Sequence, residues 1–150
     1  MRRATPADAD TLTAIALEAK AHWGYPAEWL AVWRSALTIH AEWLRSNVAV
    51  VAAHQVRPVG FVGMEPVDGG IWILEHLWVL PEWIGQGTGR ALLHRAQELA
   101  RAGGAAALEL DADPYAEPFY LRMGARRIGE VAAPVLGIDR WLPRLRFEIG

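Results

Sequence analysis

The chain of 150 residues contains no cysteine, which excludes disulfide bonds, thiolate metal sites and a cysteine nucleophile. A composition without cysteine suits a reducing compartment, so we expect a cytoplasmic protein. No apolar run approaches the roughly 18 residues of a membrane span, and the N-terminus has no apolar signal core. We therefore expect a soluble, unprocessed protein without a membrane partner.

An excess of charge of either sign is also missing. Fifteen Lys and Arg residues stand against seventeen Asp and Glu residues, and the net charge is −2 without any block of like charge. Proteins that bind nucleic acid carry a basic patch or stripe. The balance therefore predicts no nucleic-acid partner.

Hydrophobic residues are abundant, at 53% of the chain. This content and the length predict one domain over residues 1–150 with a single core. The eight tryptophans are many for this length, and we expect them to fill the core or line a cleft. An exposed aromatic patch would favour a homodimer.

Two helices and a meander of strands are predicted in the first half of the chain. Thr5, Pro6 and Asp8 form a helix-start pattern, and apolar residues recur at helical spacing as far as about residue 22. A second helix is predicted over residues 27–37. Short apolar runs separated by polar or glycine turns predict three strands, over residues 48–53, 59–64 and 71–80.

The second half alternates helices and strands. The patterns predict a helix at 88–102, a strand at 105–110, a short helix at 114–123 and strands at 126–131 and around 145–149. A helix separates the strands at 71–80 and 105–110, so these two should be parallel. The order ααβββαβαββ predicts an α/β fold whose mixed sheet passes from an antiparallel meander into a parallel pair, with helices on both faces.

A glycine-rich turn at residues 85–89 joins the long strand to the next helix. Backbone N–H groups converge at such a turn, which makes it an anion site. The spacing excludes a Walker A turn, because no glycine precedes a lysine. It also excludes a dinucleotide fingerprint, whose last position falls on Arg90 or Leu92. The alternative is a strand-helix turn without a ligand.

The strand and turn resemble the GCN5-related N-acetyltransferase (GNAT) superfamily, whose strand ends in L-x-V-x-P and whose turn reads [Q/R]-x-x-G-x-[G/A]. The residues from Leu77 to Pro81 match the strand, and Ile84 stands where the family has Arg or Gln. The resemblance implies acetyl-CoA as cosubstrate and no metal. It implies that the pyrophosphate and the pantetheine arm are held by Gly85, Gln86, Gly87, Thr88, Gly89 and Arg90, and by the main chain of Leu77, Trp78 and Val79.

A second block, at residues 113–125, is similar to the family's N-x-x-A-x-x-F-Y-x-x-x-G-F. Asp113 stands at the Asn position and Ala125 at the final Phe position. The resemblance implies that Tyr120 is the general acid and that Asp113 and Phe119 lie at the cofactor. Residues 20–25 and 141–145 also resemble a bacterial subgroup of the family without an assigned substrate.

The resemblance assigns neither the general base nor the site of the amine acceptor. Four side chains near the ends of the two parallel strands could accept an ammonium proton, in the order Glu75, Asp111, Glu109 and His76. Each is equally well explained as a paired or solvated polar residue. The break between the first two helices offers an aromatic wall for a small amine, formed by His22, Trp23 and Tyr25, although these rings could equally pack the two helices together.

We therefore predict an acetyl-CoA-dependent N-acetyltransferase acting on a primary amine of a small molecule or peptide. The alternative is a non-catalytic acyl-CoA-binding module, which the departures at Ile84 and Ala125 would suit.

Overall fold

The computed structural model describes residues 1–150 and contains one mixed sheet of seven strands. The strands are β1 (Arg2–Arg3), β2 (Val48–His54), β3 (Arg57–Pro66), β4 (Ile71–Val79), β5 (Ala107–Asp111), β6 (Arg126–Ala132) and β7 (Trp141–Glu148). Their order in the sheet is β1-β2-β3-β4-β5-β7-β6. All neighbours are antiparallel except β4 and β5, which confirms the predicted meander and parallel pair.

Five helices flank the sheet on both faces. They are α1 (Ala9–Ala21), α2 (Ala27–Leu37), α3 (Ala41–Ser46), α4 (Thr88–Ala102) and α5 (Glu117–Arg122). Short 3-10 turns at Pro6–Asp8 and Pro81–Trp83 precede α1 and follow β4. None of the helices combines the length and the apolar character that crossing a membrane requires.

Each face of the sheet covers its own apolar core. Leu92 and Leu93 of α4 pack with Leu108 and Leu145 of the sheet on one side. On the other side the buried residues of α1 and α3 pack against Val51 and Phe61. Successive residues of β2 and β3 alternate between the two cores, with Val50 and Val62 in one and Val51 and Phe61 in the other, as expected for strands covered on both sides.

The sequence patterns missed two elements and misplaced several ends. The expectation that helices precede any strand is wrong, because Arg2 and Arg3 pair with β2. The six residues of α3 are too few for a recognisable period. The Asp8 carboxylate accepts a hydrogen bond from the Thr5 amide at 2.7 Å as the start pattern predicts, but the first turn is 3-10 and α1 begins only at Ala9.

An opening in the middle of the sheet distinguishes this fold. β4 pairs with β5 only from Ile71 to Ile73, and from there to Val79 it has no partner on that side. β5 meanwhile continues along β7. The two parallel strands therefore diverge and leave a gap at their carboxyl ends.

A β-bulge lies where the gap begins. Gly63 pairs with His76 and Met64 with Leu74, so Glu75 is the extra residue in β4. A bulge re-aims the side chain it carries. Glu75 faces the gap, while His76 packs against Trp43 and Phe61 on the opposite face.

Candidate active site

A cavity of about 660 Å³ occupies the gap between β4 and β5. This volume is within the range of small-molecule sites. Its lining includes these predicted site residues: Trp23, Glu75, Leu77, Trp78, Val79, Gly85, Gly87, Gly89, Arg90, Asp111, Asp113, Phe119 and Tyr120. The remaining predicted residues do not line it: His22, Tyr25, His76, Gln86, Thr88 and Glu109.

One end of the cavity, here called the donor end, is formed by the glycine turn. Gly85 and Gly87 have φ values of +81° and +84°, which side chains other than glycine's rarely allow. The first backbone bond of α4 runs from the Ala91 amide to the Gly87 carbonyl. The amides before it, of Thr88, Gly89 and Arg90, therefore have no helical acceptor and are free for an anion.

Two arginines add positive charge to the donor end. Arg90 and Arg122 line the cavity, and neither forms an ion pair within the chain. Ile84 also lies at this end, 48% exposed, and contributes no polar group from its side chain. The free amides and the two unpaired guanidinium groups suit a polyanion such as the pyrophosphate of coenzyme A.

Arg122 was not predicted from the sequence as a site residue. Its position three residues after Phe119 on α5 is a usable signal, because residues three apart share a helix face. The Phe119 ring itself lies beside Gly89 in the first turn of α4. Arg122 is thus carried to the donor end by the same helix face that packs Phe119 there.

Tyr120 lies deep in the cavity and is only 6% exposed. Its ring contacts Phe119 and Phe147 edge to face, and its hydroxyl makes no hydrogen bond within the chain. Burial, with a contribution from the charge of Asp113, raises the pKa of the phenol well above its usual value. Tyr120 therefore carries its proton at neutral pH, as a proton donor must.

Glu75 is the base candidate that lines the cavity without a cationic partner. Partial burial raises the pKa of its carboxyl above the usual value, and the negative charges of Glu65 and Asp111 add to the shift. Asp111 lines the cavity too, but Arg144 holds both its oxygens at 2.8 and 3.1 Å. Of the two carboxylates that line the cavity, only Glu75 is therefore without a cationic partner.

The other two base candidates lie outside the cavity. Glu109 accepts a hydrogen bond from Arg146 at 2.8 Å. His76 packs between Trp43 and Phe61 on the opposite face of β4, and its Nδ1 accepts a hydrogen bond from the Trp78 indole at 3.1 Å. The contacts of both side chains therefore explain their presence by structure, as an ion pair for Glu109 and as aromatic packing for His76.

His76 makes the stability of the protein dependent on pH. Burial lowers the pKa of His76 from 6.5 to about 4, so between these values the unfolded state binds a proton that the folded state does not. The free energy of unfolding should therefore fall as the pH falls from about 6.5 to 4, by at most about 3 kcal/mol. Urea unfolding at pH 7.5 and pH 5 measures the loss.

His76→Asn is the variant for this test, since its amide oxygen can still accept from Trp78 but does not titrate. It should reduce the loss of stability between the two pH values. The same substitution at the exposed His22 should leave that loss unchanged. An unaltered loss in His76→Asn would show that other groups cause it.

The other end of the cavity, here called the acceptor end, holds a buried ionic cluster around Asp113. The Asp113 carboxylate accepts hydrogen bonds from Lys20 Nζ at 2.6 Å and from the Tyr25 hydroxyl at 2.9 Å, and the Arg140 guanidinium lies 3.5 Å away. The Tyr115 amide also donates to it, at 2.9 Å. Asp113, predicted as a cofactor contact, has both oxygens engaged by the chain itself.

Aromatic rings surround this cluster. Lys20 Nζ lies 4.3 Å and Arg140 Cζ 4.8 Å from the centre of the Trp33 ring, within cation-π distance. Burial raises the pKa of Tyr25 to about 12, so its phenol stays neutral, donating to Asp113 and accepting from Arg140 at 2.9 Å. Tyr25, which was predicted to be part of the aromatic wall, therefore does not face the cavity but holds two residues that line it, Asp113 and Arg140.

The other two predicted aromatic-wall residues differ in position. Trp23 lines the cavity and stacks on Tyr115, with ring centres 5.3 Å apart and an interplanar angle of 8°. His22 is exposed and contacts only the edge of Trp23 among the aromatic rings. The wall that faces the cavity is thus formed by Trp23 and Tyr115.

Lys20 and Arg140 were not singled out from the sequence. Lys20 is the only lysine of the chain, and it lies four residues after Ala16 on the buried stripe of α1. A charged residue on an apolar stripe is an available signal, because a buried lysine requires a partner. Arg140, in the segment before β7, has no pattern that would have revealed it.

The chain is similar to known proteins in sequence and in fold. The family model for the acetyltransferase (GNAT) family matches residues 15–125. A GCN5-related N-acetyltransferase of Rhodopseudomonas palustris has a TM-score of 0.81 at 24% identity, covering 98% of this chain and 93% of that one. No protein with a curated function matches the chain in sequence.

Two further similar structures contain coenzyme A. The PaiA N-acetyltransferase of Thermoplasma acidophilum has a TM-score of 0.75 at 18% identity, over 98% of this chain and 96% of that one. An aminoglycoside 6'-N-acetyltransferase has a TM-score of 0.73 at 19% identity, over 100% and 98% of the two chains. With the family match spanning most of the sequence, the chain belongs to the acetyltransferase (GNAT) family.

Proposed function

We propose that the protein transfers an acetyl group from acetyl-CoA to a primary amine of a small molecule or peptide. The observation that carries the proposal is a single cavity that joins the anion site of α4 to a buried phenol, Tyr120, and a carboxylate without a cationic partner, Glu75. Acetyl transfer to an amine requires these three functions together. The family membership and the coenzyme A in two similar structures support it.

The donor end would hold the cofactor mostly through backbone. The amides from Gln86 to Arg90 would bind the pyrophosphate, and the guanidinium groups of Arg90 and Arg122 would supply the side-chain hydrogen bonds that Ile84 is unable to donate. The main chain of β4 beyond Ile73 has no strand partner on the β5 side. It is available to pair with the amide groups of the pantetheine arm in the manner of an added strand.

The chain's own residues would manage the protons of the reaction. Acetyl-CoA, when bound, supplies the acetyl group as a thioester. Glu75 accepts a proton from the ammonium group so that the amine becomes nucleophilic, and Tyr120 donates to the departing sulfur. A main-chain N–H near Val79 stabilises the charge that develops on the carbonyl oxygen.

Thiol release from acetyl-CoA in the presence of a panel of primary amines tests the proposal. We expect one free thiol for each acetylated amine detected by mass spectrometry. Binding of acetyl-CoA without turnover of any amine would favour the non-catalytic module. A failure to bind acetyl-CoA at all would contradict both functions.

The pH profile tests the role of Glu75. Since a base must lose its proton before it acts, kcat/KM should rise with pH through the raised pKa of Glu75. Glu75→Gln should lower kcat about a hundredfold and remove this acid limb. Activity measured from pH 5 to 9 gives both effects.

Glu65→Gln is the matched control for this profile. It removes a negative charge that raises the pKa of Glu75, so the acid limb should move to lower pH while the rate at neutral pH is retained. If Glu75→Gln keeps both its rate and its acid limb, another group is the base.

A further inference from the structure

The ionic cluster at the acceptor end has an unbalanced charge. It contains two cations, Lys20 and Arg140, and one anion, Asp113. Their side chains are only 10%, 11% and 8% exposed. All three residues line the cavity, so a net charge of about +1 faces the space that an acceptor would occupy.

Several hydrogen-bond donors of this cluster have no partner within the chain. Lys20 Nζ uses one of its three protons, toward Asp113. Arg140 uses only Nη2, toward Tyr25 and Asp113. No fully buried polar side-chain atom lacks a partner, so the remaining guanidinium donors keep some exposure to solvent, and Arg140 is among the residues that line the cavity. Such donors in a fixed fork match a carboxylate.

The same cavity also carries negative charge. Glu75 lines it without a cationic partner, and Glu65 lies close enough to affect the pKa of Glu75. Asp111 lines it too, with its charge offset by Arg144. One cavity therefore presents the excess cation of the cluster and the unpaired Glu75 carboxylate together.

We propose that the acceptor is an amine that also carries a carboxylate, as free amino acids do. The carboxylate binds the donors of Arg140 and Lys20, and the ammonium group faces Glu75. The Trp23 and Tyr115 pair flanks the rest of the molecule. This inference rests on the proposed function, whose substrate class it specifies.

The same charges select against other amines. A compound with a second ammonium group would bring positive charge to the Lys20 and Arg140 end, where repulsion opposes binding. A monoamine without a carboxylate would leave the hydrogen-bond donors of Lys20 and Arg140 without a hydrogen-bond acceptor. Both should bind more weakly than a zwitterion of the same size.

Binding of matched pairs tests the inference without requiring turnover. Free amino acids, including phenylalanine and β- and γ-amino acids, are compared with their own amides by calorimetry in the presence of coenzyme A. At least one free acid should bind about ten- to a hundredfold more tightly than its amide, as expected for a charge-assisted pair. Arg140→Gln should remove this preference, and Arg140→Lys should keep part of it.

The exposed Arg126, paired with Glu148, provides the control Arg126→Gln, which should leave the preference intact. Thermal unfolding verifies that the Arg140 variants are folded. If they are not, the comparison of free acids with their amides on the wild-type protein still tests the inference. Equal binding of acids and amides, or no binding by any free acid, overturns it. Thiol release with amines but without a preference for acids would leave the proposed function standing and reject only this inference. A binding preference without thiol release would support an amino-acid binding site in the cavity and reject the proposed transfer reaction.

Discussion

Replacing Tyr120 by phenylalanine should lower kcat for acetyl transfer about a hundredfold or more. The substitution removes the hydroxyl but keeps the ring that packs against Phe119 and Phe147. Because burial raises the pKa of the phenol, Tyr120 is a weak acid, and we expect it to donate a hydrogen bond as charge develops on the sulfur. Thiol release under saturating acetyl-CoA measures the effect.

Cofactor binding separates this role from a structural one. The affinity of Tyr120→Phe for coenzyme A should be little changed, since the proposed pyrophosphate site lies on the glycine turn. Ser35→Ala, which removes an exposed hydroxyl outside the cavity, should retain full activity. An unchanged kcat in Tyr120→Phe would reject Tyr120 as the acid.

Asp113→Asn should lower the free energy of unfolding by about 3–5 kcal/mol. The substitution leaves Lys20 and Arg140 buried near each other without their shared anion. Such a loss is a large part of the roughly 5–15 kcal/mol that typically stabilises a domain. Urea unfolding at pH 7.5 measures it.

The pH dependence of this variant follows from Lys20. Burial already lowers the pKa of Lys20 and Asp113 opposes that shift, so without the carboxylate the pKa falls further. The unfolded state then binds more protons than the folded state over a wider interval, and the variant should regain stability as the pH rises. Adding Lys20→Met to Asp113→Asn should restore part of the loss at pH 7.5.

Asp111→Asn is the matched control. Its ion pair with Arg144 joins two side chains that are 36% and 46% exposed, and such surface pairs contribute about 0–1 kcal/mol. Equal losses in the two variants would contradict the view that burial gives the Asp113 cluster its importance.

The sheet and the glycine turn could be predicted because their signals are local. The apolar runs of β2 to β4 and the spacing of α4 specify strands and a helix within short windows. The glycine turn requires positive φ at Gly85 and Gly87, and this signal also lies within a few consecutive residues. The order of these elements along the chain then predicts the parallel pair of β4 and β5.

The acceptor end could not be predicted because it is assembled from distant segments. Lys20 lies 93 positions before its partner Asp113, and Arg140 lies 115 positions after Tyr25, pairings that no periodicity encodes. The bulge that aims Glu75 depends on the pairing register of β3 and β4. The ranking of Glu75 over His76 nevertheless agrees with the side of the strand on which the cavity lies.

A crystal structure with bound coenzyme A would locate the cofactor relative to Tyr120, Glu75 and the glycine turn in one experiment. We expect the pyrophosphate within hydrogen-bond distance of the amides from Gln86 to Arg90, the pantetheine arm along β4 beyond Ile73, and the sulfur beside the Tyr120 hydroxyl. A cofactor bound outside the gap between β4 and β5, or a sulfur remote from both Tyr120 and Glu75, would contradict the proposed function.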